Sequence, residues 1–526
     1  MRGLAALVMV LVTAGIYAGR LGGPFLFDDV SGIVDNPSIR SIASALSPPD
    51  NTPLAARPLP NLSLAVNYAV AELKTSGYHR LNLALHCVNA VLAFALVSGL
   101  LSRGRFPRRV RERSVVLGFV AAIVWAVHPV VVEVVLYAVQ RTELCVALCY
   151  LATLWAVVRS HDARFPQAWY AIAWVACVAG MTSKAVMVTA PVLALFLDRA
   201  FLAGSFGESL RRRRVLYAGL ALGWVVLALL QVGSPRAGSI APPSLHYLAA
   251  QSEIVPRYLL AVLTAHGNVL DYGMLVAGQT YGNAFTYLFT GTLVVAALVG
   301  TFTHPRLGFV GAWVFGILAP TSSIVSLLPE IGAERRIYLP ALAVVVLVVL
   351  AVHAVVDRVS SARRGAVSAL AVALVAISVV ALGARSRART EAFASGRVFW
   401  ETAVLERPQN PRAHYNLGEA YREGGELGKA AVAYEQALAV HPDYRKALVN
   451  LGGALVRLGR PAEALEPLRR AVELSPGSFG AHYNLATALT RTGDLPGAEI
   501  HLERAVEIDP GHRRARARLE QLRAGP

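Results

Sequence analysis

The sequence predicts an all-α protein: a polytopic membrane bundle of about eleven helical spans followed by a C-terminal α-solenoid. Three observations predict it. Hydrophobic residues make up 55% of the 526, charged residues only 16%, and the mean hydropathy is +0.50, whereas a soluble chain carries about 25% charged residues. The apolar residues are gathered into runs near the ~20 residues that cross a bilayer as a helix. Beyond residue 390 the chain turns polar and Ala-rich with a fixed 34-residue step. A soluble enzyme and a disordered scaffold are excluded; a transporter is not.

The first apolar run, 4–19, comes after Arg2 and lacks a small-x-small cleavage site before Arg20, so it reads as a retained helix rather than a secretory signal. Further spans fall at 81–102, 114–131, 143–158, 168–182, 185–203, 215–232, 284–301, 308–328, 337–356 and 366–384. The formal charge of +17 comes from arginines in short connections: Arg103, Arg105, Arg108, Arg109, Arg111 and Arg113, then Arg159 and Arg164, Arg211–Arg214, and Arg358, Arg363 and Arg364. Threading the spans in alternation puts all of these on the side of Arg2, the positive-inside pattern. It accounts for the basicity without a nucleic-acid partner. The N-terminus is then cytoplasmic, and the chain beyond the last span is extracytoplasmic, in a cell (inner) membrane. Arg385, Arg387 and Arg389 conflict with this, because they lie just past the last span. Residues 254–270 carry Arg257 and His266, a poor span, and read as an interfacial helix within an external loop, 233–283. Cys87, Cys145, Cys149 and Cys177 lie in apolar segments as small core residues.

The solenoid is read from its period. Asn416, Asn450 and Asn484 are 34 apart, as are Pro442, Pro476 and Pro510, Ala430, Ala464 and Ala498, and Ala437, Ala471 and Ala505. This is the tetratricopeptide pattern, small residues where paired helices touch and Pro closing each unit. Three repeats span 411–512. Trp400, Ala403 and Pro408 precede Tyr434, Ala437 and Pro442 by one period, so 390–410 is a half-repeat linker helix between the membrane domain, 1–389, and the array. The Arg-rich tail, 513–526, caps it. Such an array presents a concave groove to a polypeptide, with Asn416, Tyr421, Asn450 and Asn484 as candidate contacts.

Ionisable groups near membrane depth are costly and point to function. On this topology they gather on the external face: Asp28 and Asp29 after the first span, in the external loop 20–80; Arg57, Tyr78 and His79 in the same loop, with Asn82 and His86 entering the next span; His128, Glu133, Gln140 and Arg141; Lys184; and Glu334, Arg335, Arg336 and Tyr338. A transporter places charges at the bilayer midplane; these hug one interface. A carboxylate beside cations at one surface suits a lipid-linked phosphate: Arg and Lys bind the phosphate, and an Asp takes the proton of an attacking hydroxyl. Each piece has a bland alternative. An Asp pair can cap a helix, a Lys at a span end can snorkel, and His128-Pro129 can simply end a helix.

With those residues in hand, the chain resembles the transmembrane and tetratricopeptide-repeat family of protein O-mannosyltransferases and their bacterial homologues. FDDVSGIVDNPSI is similar to that family's first-loop acidic motif. RPLPNLSLAVNYAV with GYHRLNLALHCVNAVL, VHPVVVEVVLYAVQRTEL, TSKAVMVTAPVLALFLD and AERRIYLP resemble its later blocks, in order. The resemblance implies a GT-C membrane fold and an inverting glycosyltransferase that uses a polyprenyl-phosphate sugar as co-substrate, with no other cofactor and no obligatory metal. It implies Asp28 as catalytic base with Asp29 as its partner. Arg57, Arg141, Lys184 and Arg335 become donor-phosphate contacts, and His79, His128, Glu133, Glu334 and Tyr338 line the pocket. Two positions depart from the family: its Lys-Glu is Lys184-Ala185 here, and Arg336 replaces an aromatic.

The reading is transfer of a sugar, mannose on the resemblance, to Ser or Thr hydroxyls of exported proteins that the repeats present. Two others stay open: the same chemistry on a lipid, glycan or cell-wall acceptor, and a non-catalytic membrane-anchored scaffold for envelope assembly. The sequence leaves the oligomeric state open.

Overall fold

The computed structural model describes residues 2–231, 244–276, 279–322, 330–359 and 361–524. The end of the span expected at 308–328, the start of the loop expected at 233–283 and the last two residues of the tail lie outside them. Among the described residues every regular element is helical. The chain divides into two compact units, Met1–Leu270 with Gln279–Ser395, and Asp271–Gly278 with Gly396–Pro526.

The first unit is a helical bundle. Its main helices are α1 (Arg2–Tyr17), α2 (Pro58–Ala71), α3 (Thr75–Leu101), α4 (Ser114–Ala126), α5 (Arg141–Ser160), α6 (Pro166–Met181), α7 (Ala190–Leu197), α8 (Phe206–Gln231), α9 (Leu245–Thr264), α10 (Ala284–Thr303), α11 (Pro305–Ser322), α12 (Tyr338–Arg358) and α13 (Ser361–Arg389). Each of the eleven expected spans is helical through most of its length. Among the described residues, seven segments are individually long and apolar enough to cross a membrane, and an eighth qualifies as a bent pair, Ser114–Ala126 with Pro129–Leu136, bent by 58°. The expected continuous span 114–131 breaks there because Pro129 has no N–H for a helix interior. The interior is tight where small residues allow it. A Cβ on Gly308 would lie 2.2 Å from the Gly300 carbonyl carbon, so α10 and α11 meet backbone to backbone. All four cysteines are buried and unbridged.

The packing bears on two sequence expectations. Residues 254–264 are the second half of α9, which begins at Leu245 and ends at Thr264, and 265–270 lie beyond its end. Gln251 Nε2 donates to Ile331 O at 2.7 Å and Tyr258 Oη accepts from Ala333 N–H at 2.6 Å, so one face of this helix is packed against the bundle. Arg257 is exposed and pairs with Glu253 at 2.9 Å, and His266 lies beyond the helix end, so neither charge obstructs the packing. The three arginines that contradicted the charge pattern have partners within the bundle. Arg385 Nη1 lies 2.9 Å from His266 Nε2, Arg387 donates to the Ile16 and Ala18 carbonyls at 3.3 Å, and Arg389 pairs with Glu334 at 2.9 Å. Arg387 thus sits at the C-terminus of α1, where the helix dipole favours a cation.

The second unit is a helix-pair solenoid: α14 (Gly396–Glu406), α15 (Pro411–Glu423), α16 (Leu427–Val440), α17 (Arg445–Arg457), α18 (Pro461–Leu474), α19 (Phe479–Thr492), α20 (Leu495–Ile508) and α21 (Arg513–Ala524). The Ala columns are its spine: Ala403, Ala437, Ala471 and Ala505 are fully buried, as are Ala430, Ala464 and Ala498. The tail helix α21 continues the period. Arg518 stands 34 after Asn484 and donates to Thr487 Oγ1 at 2.8 Å, 31 residues back, while Ala515 and Leu519 are buried. Residues 271–276 belong to this unit as a strap. Asp271 receives Arg412 at 2.7 and 2.5 Å on its carboxylate and Asn410 Nδ2 at 2.9 Å on its carbonyl.

The Asn column placed at the groove has another role. Asn450 Nδ2 donates to Glu419 Oε1 at 2.7 Å and Tyr415 Oη at 3.2 Å; Asn484 Nδ2 donates to Val449 O at 3.3 Å. Both reach back one repeat and hold neighbouring helices in register. Tyr421 donates to Glu401 at 3.1 Å. Asn416, first in the column, is half-buried with its Nδ2 lacking a hydrogen-bond partner. Asn450→Ala is expected to cost about 1 kcal/mol, measured as faster amide exchange in α15 and α17 with exchange in the bundle unchanged.

Candidate active site

The first loop is fixed to α3 and to the turn before α5. His79 Nδ1–H donates to Leu21 O at 2.9 Å, and Phe25 packs edge-on against Tyr78 with ring centroids 5.3 Å apart. Asp29 is fully buried and accepts backbone N–H groups from Leu26 (3.0 Å), Ala138 (3.4 Å) and Val139 (2.7 Å). It staples the loop to the turn before α5. Burial pushes its carboxyl up to about 7, against the pull of those three donors. Asp28 is half-buried, and its backbone N–H donates to Tyr137 Oη at 2.9 Å. The residue before it, Phe27, is exposed and holds φ +41°, a conformation that costs a bulky side chain energy and clusters at functional sites. The Asp pair therefore divides: the Asp29 carboxylate is buried and anchors the loop, while Asp28 is half-buried beside it.

Tyr137 is the link that the sequence did not disclose. Its hydroxyl lies within electrostatic reach of Asp28, Asp29 and Arg335, which brings the first loop and the AERR turn into one neighbourhood. Arg335 Nη1 donates to Glu133 Oε1 at 2.9 Å and its backbone N–H to Glu133 Oε2 at 3.2 Å. Its Nη2 meets both Glu330 oxygens at 2.7 and 2.6 Å. Arg336 donates to Glu330 O at 2.9 Å and Thr321 O at 3.1 Å. Lys184 pairs with Glu143, both largely buried, and has Arg57 and Arg335 as electrostatic neighbours. Burial pushes its ammonium down to about 8, with Glu143 opposing. Asp28, Arg57, Lys184 and Arg335 thus share one region, with Glu133, Glu143 and Glu330 as counter-charges.

Other expected contacts prove structural. Arg141 is fully buried: Nε donates to Asn82 Oδ1 at 2.5 Å, Nη2 to Asn67 Oδ1 at 2.9 Å and Tyr78 O at 3.0 Å, and Nη1 to Ser63 O at 3.3 Å. The fork expected to meet a phosphate instead ties α2 and α3 to the start of α5. His128 accepts from Val130 N–H on Nδ1 at 3.3 Å and therefore donates from Nε2 to Val262 O at 3.0 Å. It caps the second half of the bent pair at its break. Tyr338 donates to His86 Nδ1 at 2.7 Å and accepts from Asn89 at 3.3 Å, while His86 Nε2–H donates to Ala126 O at 2.9 Å. Glu334 accepts from Val269 N–H and from Arg389 at 2.9 Å. Glu143, Glu330 and Tyr137 were missed. Glu143 lay in plain view two residues after Arg141, but its partner is 41 residues away.

Comparisons with known proteins match both halves of this description. Three tetratricopeptide-repeat family profiles match, at residues 411–444, 428–479 and 455–522. A Caenorhabditis elegans protein O-mannosyl-transferase is 30% identical over 173 residues, covering 30% of this chain and 23% of that protein. Protein O-mannosyl-transferase TMTC3 of Mus musculus is 31% identical over 164 residues, covering 29% and 16%. Tmtc1 of Drosophila melanogaster is 34% identical over 161, covering 28% and 17%. The chain spans less than a quarter of the length of these relatives. Among solved structures, YrrB, a tetratricopeptide-repeat protein with an unusual peptide-binding site, is 28% identical with TM-score 0.23, covering 24% of this chain and 66% of that one. The first repeat domain of RPAP3 bound to an HSP90 peptide is 22% identical with TM-score 0.22, covering 22% and 92%. Residues 411–522 are therefore a tetratricopeptide-repeat array, and the chain is an all-α membrane protein similar to the transmembrane and tetratricopeptide-repeat protein O-mannosyl-transferases.

Proposed function

We propose that this protein is an integral-membrane inverting glycosyltransferase that moves mannose from a polyprenyl-phosphate donor to Ser or Thr hydroxyls of exported proteins. The observation that carries the reading is that one region gathers Asp28 and the cations Arg335, Lys184 and Arg57, linked through Tyr137 and Lys184. Asp28 takes the proton of the acceptor hydroxyl as its oxygen bonds to the sugar carbon. The bond from that carbon to the phosphate oxygen breaks with inversion, and the cations stabilise the polyprenyl phosphate that leaves. Lys184 and Arg335 meet the incoming phosphate by sharing or exchanging their carboxylate partners. Asp29 and Tyr137 position the base. The donor and acceptor chemistry is supported by the likeness to protein O-mannosyl-transferases, and the acceptor role of the repeats by the concave surface such arrays form. On this reading the bundle is oriented with Asp28 and the repeats outside the cell membrane.

Glycopeptide mass spectrometry of exported proteins from cells with and without the gene tests this. Hexose on Ser and Thr peptides that vanishes in the deletion strain supports it. An unchanged glycopeptide profile refutes a protein acceptor.

A further inference from the structure

At the other end of α3 the bundle holds a cavity of about 420 Å³, within the size range of small-molecule sites. It lies between the last turns of α3, the first turns of α11 and the middle of α12, with Phe106 and Phe201 as side walls. Only Thr303, His304 and Arg306 interrupt its apolar lining. Leu307 and Leu347 on its rim are exposed, so it opens onto the apolar outer surface of the bundle. At 1.5 Å per residue, His79 at the start of α3 and Leu100 beside the cavity are about 30 Å apart, the thickness of a bilayer core. The cavity therefore belongs to the leaflet opposite the one that meets Asp28.

Its mouth is basic. Arg306 and His304 are exposed; the Arg306 guanidinium lies 5.8 Å over the Phe106 ring and donates to the Arg105 carbonyl. That contact joins the mouth to the loop 103–113, which carries six arginines and one acid, Glu112. The N-terminus of α11, an 18-residue helix starting at Pro305, adds its positive dipole end. We infer that this cavity binds one acyl chain of an anionic phospholipid, with the lipid phosphate held by Arg306 and His304 and drawn by the positive charge of that loop, in which Arg103, Arg108 and Arg109 already pair with Asp162, Glu112 and Asp357. The apolar walls take the chain, and the basic mouth selects the headgroup. The donor's phosphate, bound near Asp28, lies a bilayer away from this basic mouth, so the headgroup held here is that of a lipid of the opposite leaflet.

The test uses the full-length protein in phosphatidylcholine nanodiscs doped with phosphatidylglycerol carrying a diazirine on its acyl chain, with crosslinked peptides identified by mass spectrometry. Crosslinks should concentrate in 96–101, 307–313 and 342–350. Val346→Trp, which fills the cavity, should lower their yield about five-fold or more. Arg306→Gln, at the exposed mouth, should reduce the preference for this probe over a phosphatidylcholine probe to about two-fold or less. The second variant keeps the test decisive if the first perturbs folding. Labelling spread evenly over the outer faces of α10 and α13 would overturn the inference. So would a polyprenyl phosphate that displaces the probe where unlabelled phosphatidylglycerol does not, since that would assign the cavity to the donor's tail.

Discussion

Asp28→Asn is expected to reduce transfer by about 10²–10⁴-fold, the usual contribution of a general base, while the protein inserts and folds as the wild type does. The substitution keeps the backbone N–H that bonds Tyr137, so the loop keeps its attachment. Asp29→Asn should behave differently. An amide has one acceptor oxygen where the carboxylate has two, and three backbone N–H groups depend on that carboxylate. Leaving one of them unmet costs about 1–3 kcal/mol and loosens residues 26–35. Amide exchange in that loop, measured beside transfer, separates the two. Loss of transfer with wild-type protection is the result expected of Asp28→Asn only. Full transfer in that variant would remove Asp28 from the role of base.

The second large effect concerns Arg335. Removing it as Arg335→Ala leaves Glu133, 1% exposed, and Glu330 without their shared cation, and breaking a buried pair in this way costs about 3–5 kcal/mol. A lower yield and melting temperature are expected. Adding Glu133→Gln removes one of the stranded charges and should restore part of the stability. If Arg335 also binds the donor phosphate, the double variant regains stability and stays inactive. If it regains both, Arg335 is structural and the phosphate rests on Lys184 and Arg57.

The legibility of this protein in its sequence tracks a physical divide. Apolar runs report helices directly, so each of the eleven expected runs is helical through most of its length, while among the described residues seven segments are individually long and apolar enough to cross a membrane. Asp28, Lys184 and Arg335 could be placed on one face because each adjoins a span end whose direction alternates. Their counter-ions could not be assigned. Glu133 meets Arg335 across 202 residues, and no periodicity links two charges that the packing of different helices brings together. Arg141 shows the converse: an Arg at a span end looked like a ligand-binding fork, while its neutral partners Asn67 and Asn82 lie in an earlier motif block, 74 and 59 residues away. In the array the 34-residue step gave equivalence without direction. Asn450 and Asn484 are equivalent, as the spacing predicts, and they point along the solenoid to the preceding repeat.

The Glu334–Arg389 pair bears on how the orientation of this chain can be mapped. It joins the turn before α12 to the final turn of α13, 55 residues later. Reporter enzymes fused to successively shortened chains lack Arg389 in every fusion ending before it, and each such fusion leaves Glu334, 1% exposed, short of this cation. Those hybrids would misreport the last crossings. Reporters inserted into the intact chain, or single cysteines labelled from either side, keep the pair and give the native orientation.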